Sequence, residues 1–195
     1  DQVWTSDNTD PFDRLLIQDG FSRAYAPGIM MAWVTDSPNY LNRRTTSLEY
    51  RFLSSMQGAL GIGVNLNHWK DEDFAKARRL VADYKTIRPI VQQGNLYRLV
   101  SPQGGSGRSA TLSVAQDGKQ AVLFAFLHSS GRRDARPRIQ LRGLDPQRMY
   151  ALRAISGSAA PRTPQRASGA YWMGRGVDVV LEGDFQAAAF VLDGA

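Results

Sequence analysis

The chain has 195 residues, 43% of them hydrophobic, with 24 Lys and Arg against 18 Asp and Glu for a formal charge of +6. That length supports a real core in one domain or two small ones, and no stretch approaches the roughly 18 consecutive apolar residues that would span a bilayer. The absence of cysteine excludes a disulfide scaffold and thiolate metal sites, and it fits a reducing compartment, so a cytoplasmic location is the expectation. The opening Asp1-Gln2-Val3-Trp4 lacks an initiator Met and a signal-peptide pattern, and it reads as the interior of a longer protein.

Val3-Trp4 reads as the end of a strand that runs into the polar turn Thr5 to Thr9. Asp10 is placed as a helix N-cap with Pro11 at the first helical position, which predicts a helix from Pro11 to about Asp19 with Gly20 as its stop. Ile29 to Val34 is too short for a helix and ends in the turn-rich Thr35 to Asn39, so it reads as a buried strand. Thr46 or Ser47 caps a second helix through Met56, broken at Gly58, after which Gly61 and Gly63 disturb any regular pattern. Asp71 is expected to cap a longer helix with apolar positions at Phe74, Ala77, Leu80, Val81, Tyr84 and Ile87, kinked or ended at Pro89.

From Leu96 the hydrophobic period changes to two. Strands are predicted at Leu96 to Val100, Ala110 to Ala115, Gln120 to Leu127, Arg138 to Leu141, Met149 to Ile155, Val177 to Leu181 and Ala187 to Leu192, with Ser156 to Ser168 as a mobile surface loop. Short strands at this spacing imply an antiparallel β-sandwich. The expected organisation is α/β followed by all-β: two β/α units over residues 1–94 and a sandwich over 95–195. Two such units leave apolar strand faces bare, so further strands and helices upstream are implied.

Asp7 stands in a loop that leaves a strand just ahead of a capped helix, where α/β enzymes carry catalytic groups. Three residues before the cap, it has no local structural duty. Trp4 beside it offers an apolar platform of the kind that packs on a sugar face, and Ser6 and Asn8 can hydrogen-bond hydroxyls or orient a carboxylate. Asp10 and Asp13 read as cap and turn residues. The acidic spacing 7, 10, 13 lacks the alternation and glycine of a calcium loop. His68 and His128 are far apart and lack ligand spacing, and the glycines follow no phosphate-loop pattern, so neither a metal nor a cofactor is expected. Arg132, Arg133, Arg136, Arg138, Arg142, Arg148 and Arg153 cluster in the second half, but they alternate with apolar residues and read as the solvated face of a sheet rather than a nucleic-acid groove.

The run Trp4-Thr5-Ser6-Asp7-Asn8-Thr9-Asp10, with Arg14-Leu15 and Ile17-Gln18, resembles the acid/base signature of family 36 glycoside hydrolases, chiefly α-galactosidases. Tyr50-Arg51-Phe52, Gly58 to Leu66, Tyr84 to Arg88 and Leu96 to Leu99 resemble closing segments of that family's barrel. Leu141 to Pro146 with Tyr150, Ser168-Gly169 and Leu181 to Phe185 resemble its C-terminal β domain. The resemblance covers nearly the whole chain. It implies the last two units of a (β/α)₈ barrel followed by the β domain, no cofactor, and a retaining double displacement. In that scheme Asp7 is the general acid/base, an upstream Asp is the nucleophile, and the chain alone is inactive. It further implies an α-galactoside substrate of the melibiose or raffinose type, the rest of the parent chain as a partner, and a homo-oligomer. The sequence departs from many relatives at Trp33 and Tyr40, where they carry His. Two other readings remain open at this point. One is a noncatalytic carbohydrate-binding module using Tyr171 and Trp172; the other is α-N-acetylgalactosaminidase or galactosyl transferase chemistry on the same fold.

Overall fold

The computed structural model describes residues 1–130 and 137–194, so Arg132, Arg133 and Arg136 of the arginine cluster lie outside the described residues. The predicted opening strand is a single parallel bridge between Val3 and Met30, closed by Val3 N–H donating to the Ile29 carbonyl at 2.7 Å and Met31 N–H to that of Val3 at 3.1 Å. Helix α1 (Pro11–Phe21) starts as expected, with the Asp10 carboxylate accepting from the Phe12 and Asp13 amides. It does not stop at Gly20. That glycine is absent from the positive-φ positions, so it cannot form a left-handed cap, and the helix runs on to Phe21 and closes two residues later on Ser22.

Strand β1 (Met31–Thr35) leads through a loop to α2 (Leu48–Ser55), whose N-cap is Ser47, bonded through its hydroxyl to the Tyr50 amide. The glycine-rich segment that follows is regular: β2 (Ala59–Gly63) pairs in parallel with β1, Trp33 opposite Gly61. The two parallel units therefore gain a third strand. A Cβ at Gly61 would meet the Trp33 ring at 2.6 Å. Its glycine thus marks close approach of an indole, a use of strand glycine that breaks the hydrophobic alternation.

Helix α3 (Asp71–Gln93) begins one residue earlier than its expected cap allows. Lys70 holds the cap position, its amide donating to the Asp73 carboxylate at 3.1 Å, and Asp71 is the first helical residue. Pro89 lies inside the helix without ending it. The proline and Lys85, whose carbonyl loses its partner there, are both exposed, so water can satisfy that carbonyl.

Six strands then form one antiparallel sheet: β3 (Asn95–Val100), β4 (Arg108–Val114), β5 (Gln120–Leu127), β6 (Met149–Ala154), β7 (Arg166–Ser168) and β8 (Gln186–Gly194), in the order β3-β4-β5-β8-β6-β7. A short helix α4 (Gly169–Gly174) follows β7. Val122, Phe124 and Phe126 of β5 face α2 and α3 in one apolar cluster, while Leu123, Ala125 and Leu127 face Trp172, Val177 and Leu181 in another. The second layer of the expected sandwich is thus irregular. Its predicted strands at Arg138 to Leu141 and Val177 to Leu181 are reduced, among the described residues, to one antiparallel bridge between Ile139 and Val177. Gly176, at φ 72° and with no room for a Cβ against the Ile139 backbone, turns the chain away before a ladder can grow. The segment expected to be a loose loop is tied down: Ser156 N–H donates to Asp83 of α3 at 3.0 Å, and the Ser158 hydroxyl accepts from Ala189 of β8 at 2.9 Å.

Candidate active site

The loops that follow Val3, β1 and β2 leave the same, C-terminal edge of the parallel strands, which is where open or closed parallel sheets gather functional side chains. Asp7 is on the first of these loops and is exposed. Its carboxylate accepts the Trp4 indole N–H at 2.8 Å. Trp4, 55% exposed, tilts against Trp33 of β1 with ring centroids 5.2 Å apart, and Trp33 in turn covers Gly61 of β2. One aromatic stack therefore runs across all three parallel segments and ends on the Asp7 carboxylate.

Ser6 and Asn8 are half-buried and engaged otherwise. The Ser6 hydroxyl accepts the Asn8 amide at 3.0 Å, making a tight turn beneath Asp7. The Asn8 side chain accepts from the Asp10 amide at 3.0 Å and donates to the Asp13 carboxylate at 2.9 Å. Asn8 thus orients Asp13 rather than Asp7. Trp4 and Asp7 are brought together; Ser6 and Asn8 shape the loop that carries them.

The loop after β1 braces this one. Asn39, almost fully buried, bonds Thr9 through its side chain at 3.4 Å, and Thr35 meets the Thr9 hydroxyl at 3.1 Å. Arg44 pairs with Asp10 and, at 3.2 Å, with Asp13, while its guanidinium lies 4.9 Å from the Phe12 ring centroid and 5.2 Å from that of Phe185. Asp10 is wholly buried, so this ion pair compensates a charge that would otherwise be costly to bury. Tyr40, at the tip of the same loop, donates its hydroxyl to the Asp7 main-chain carbonyl at 2.8 Å. The residue types alone gave no sign of the Tyr40 and Arg44 contacts, because their partners lie 33 and 34 residues away.

Below the loop the environment is dry. Burial lowers the Arg14 guanidinium to about 10; it donates to the Thr5 hydroxyl at 2.6 Å and the Met31 carbonyl at 2.7 Å, tying α1 to two strand ends. Burial, helped by the Asp10 charge and opposed by Arg44, pushes the Tyr50 phenol well above its ordinary value. His128, 3.4 Å from the Tyr50 hydroxyl, is held down to about 4 by burial, against a backbone hydrogen bond with Arg108. The other histidine, His68, contacts Asn65 at 3.1 Å and Asp36 at 3.9 Å on the loops after β2 and β1. A cavity of about 560 Å³ opens elsewhere, between Val100, Arg108, Phe126, Arg138 and Leu181, and among the described residues no carboxylate lines it. Of the two aromatics of the alternative sugar-binding reading, Trp172 is completely buried with its indole N–H on the Ala167 carbonyl at 3.1 Å and presents no surface to a ligand, while Tyr171 is half-buried.

The melibiase family model matches residues 1–94, and the glycosyl hydrolase family 36 C-terminal domain matches residues 108–192. Alpha-galactosidase C of Emericella nidulans is 41% identical over 151 residues, 77% of this chain and 20% of that protein. The crystal structure of the family 36 alpha-galactosidase AgaB from Geobacillus stearothermophilus superposes with a TM-score of 0.90 at 31% identity, covering 100% of this chain and 26% of that one. A variant of AgaA from the same organism, in complex with raffinose, gives 0.90 at 29% with the same coverages. The chain spans about a fifth of the curated relative and a quarter of the solved ones. With both halves matched in order and the fold shared end to end, the chain belongs to glycoside hydrolase family 36.

Proposed function

We propose that this chain is the acid/base-bearing part of a retaining α-galactosidase, acting on terminal α-galactosides of the melibiose and raffinose type. One observation carries the reading: Asp7 is an exposed carboxylate at the C-terminal edge of parallel strands, gripped by the Trp4 indole and set above a capped, ion-paired helix start. Residues 1–94 are then the end of a (β/α)₈ barrel and residues 95–195 the domain that packs behind it. Three parallel segments with both edges open are in keeping with a barrel completed by other parts of a longer polypeptide.

In the first step an Asp from outside this chain attacks the anomeric carbon as Asp7 gives its proton to the leaving oxygen. In the second, Asp7 takes a proton from the incoming water and that water displaces the enzyme carboxylate. Trp4 serves as the platform for the sugar face and as a hydrogen-bond donor to Asp7. The raffinose complex of a family member supports the substrate class. The isolated chain, holding one member of the carboxylate pair, is inactive in this account; a cytoplasmic, homo-oligomeric parent protein completes it.

Proton NMR of the full-length protein during hydrolysis provides the test. Galactose released first as the α anomer is expected, and β-galactose appearing first would contradict the double displacement. A noncatalytic sugar-binding role for the β domain is the weaker reading, since burial removes Trp172 and leaves it the half-buried Tyr171.

A further inference from the structure

We propose that Tyr40 is a positioning residue for the acid/base carboxylate, fixing the Asp7 main chain from the neighbouring loop; the inference rests on the assignment of Asp7 made above. Two anchors hold the Asp7 side. Trp4 grips the carboxylate at 2.8 Å, and Tyr40 grips the same residue's carbonyl at 2.8 Å. Neither contact alone fixes a carboxylate: a hydrogen bond to one oxygen leaves the loop backbone free to rotate, and a bond to the carbonyl leaves the side chain free.

The loop that carries Tyr40 is itself immobilised. Asn39 beside it is 2% exposed, bonds Thr9, and accepts the Leu41 amide on its side-chain oxygen at 2.9 Å. Its backbone closes on the same loop, with Asn39 N–H on the Arg44 carbonyl and Arg43 N–H on the Asn39 carbonyl, both at 2.9 Å. Arg44 then reaches the buried Asp10 and Asp13, and Asn42 reaches Asp13 at 3.5 Å. Among the described residues, the loop's other polar contacts with the Asp7 segment end on Thr9, Asp10 or Asp13, and Tyr40 extends them to Asp7.

Tyr40 is 57% exposed. Its hydroxyl is aimed at a main-chain atom of the reacting residue, so its cost in conformational freedom fits a positional duty.

The test uses the full-length protein with Tyr40→Phe and Asp7→Ala, each assayed for kcat/KM on raffinose and on an aryl α-galactoside with a good leaving group, together with Tm. A misplaced acid harms only leaving groups that need a proton. Tyr40→Phe is expected to lower kcat/KM on raffinose about three- to tenfold, as for loss of one hydrogen bond, while the aryl substrate and Tm stay within error. No change on raffinose, or an equal fall on both substrates, while Asp7→Ala remains selective for raffinose, overturns the role of Tyr40 and leaves Asp7 in place. An Asp7→Ala variant with no selectivity removes the assignment of Asp7 itself, and the role of Tyr40 with it.

Discussion

His128 is 6% exposed, with the Phe12 ring centroid 4.7 Å from its own and the Tyr50 hydroxyl near its Nδ1. Because burial holds it neutral down to about pH 4 while an unfolded chain takes the proton near 6.5, the unfolded state binds more protons in that window. Stability is therefore full above pH 6.5 and falls as the pH drops towards 4, by about 3 kcal/mol for this one group. Urea unfolding from pH 7 to 4 should show that slope in the native chain and a shallower one in His128→Phe; equal slopes would mean that the imidazole is not kept neutral. At this scale the sequence was legible where partners are close. Asp10 as cap and Pro11 at the first turn follow from local chemistry. The roles of Arg44 and Tyr40 were not legible, because an ion pair or hydrogen bond across more than 30 residues leaves no spacing to read.

Among the elements, β2 shows most clearly how a local rule is overridden. Its two glycines lower strand propensity, yet parallel pairing with β1 and the Trp33 ring lying over Gly61 make the strand, and tertiary contact of that kind has no local signal. The two positions provide an internal comparison. Gly61→Ala sets a Cβ 2.6 Å from Trp33 Cε3, forcing the indole to move and with it Trp4 and the grip on Asp7, for a loss of about 1–3 kcal/mol. Gly63→Ala meets the same ring at an ordinary 3.5 Å and should cost under about 0.5 kcal/mol. Equal midpoints for the two variants in denaturant would show that the stack carries no strain. Helix α3 makes the complementary point, since its apolar period was plain while the tolerance of Pro89 depends on which face meets water, and that is set by the sheet behind it.

Across the whole molecule, the change of hydrophobic period near Asn95 divides helix-rich from strand-rich sequence, but one core crosses that line. Leu53, Met56, Leu80 and Ile87 from α2 and α3 share a cluster with Phe124, Phe126, Ala189 and Val191 of the sheet. The chain is therefore expected to unfold in urea as one transition followed alike by tryptophan fluorescence and far-ultraviolet circular dichroism; two separated transitions would contradict a shared core. Which face of the sheet meets the helices could not be read from alternation alone, because β5 is buried on both sides from Ala121 to Leu127 and so shows no polar face. The family resemblance, carried by Trp4 to Asp10, reached further than periodicity did, and the claim it leads to is catalytic. The most direct measurement is Asp7→Ala in the full-length protein, assayed on raffinose and on an activated aryl α-galactoside with azide. Loss on raffinose, survival on the aryl substrate and release of α-galactosyl azide are the predicted results, because azide needs no general base and attacks the covalent intermediate from the face that the missing carboxylate leaves open, with net retention. Undiminished hydrolysis of raffinose would contradict the account at its centre.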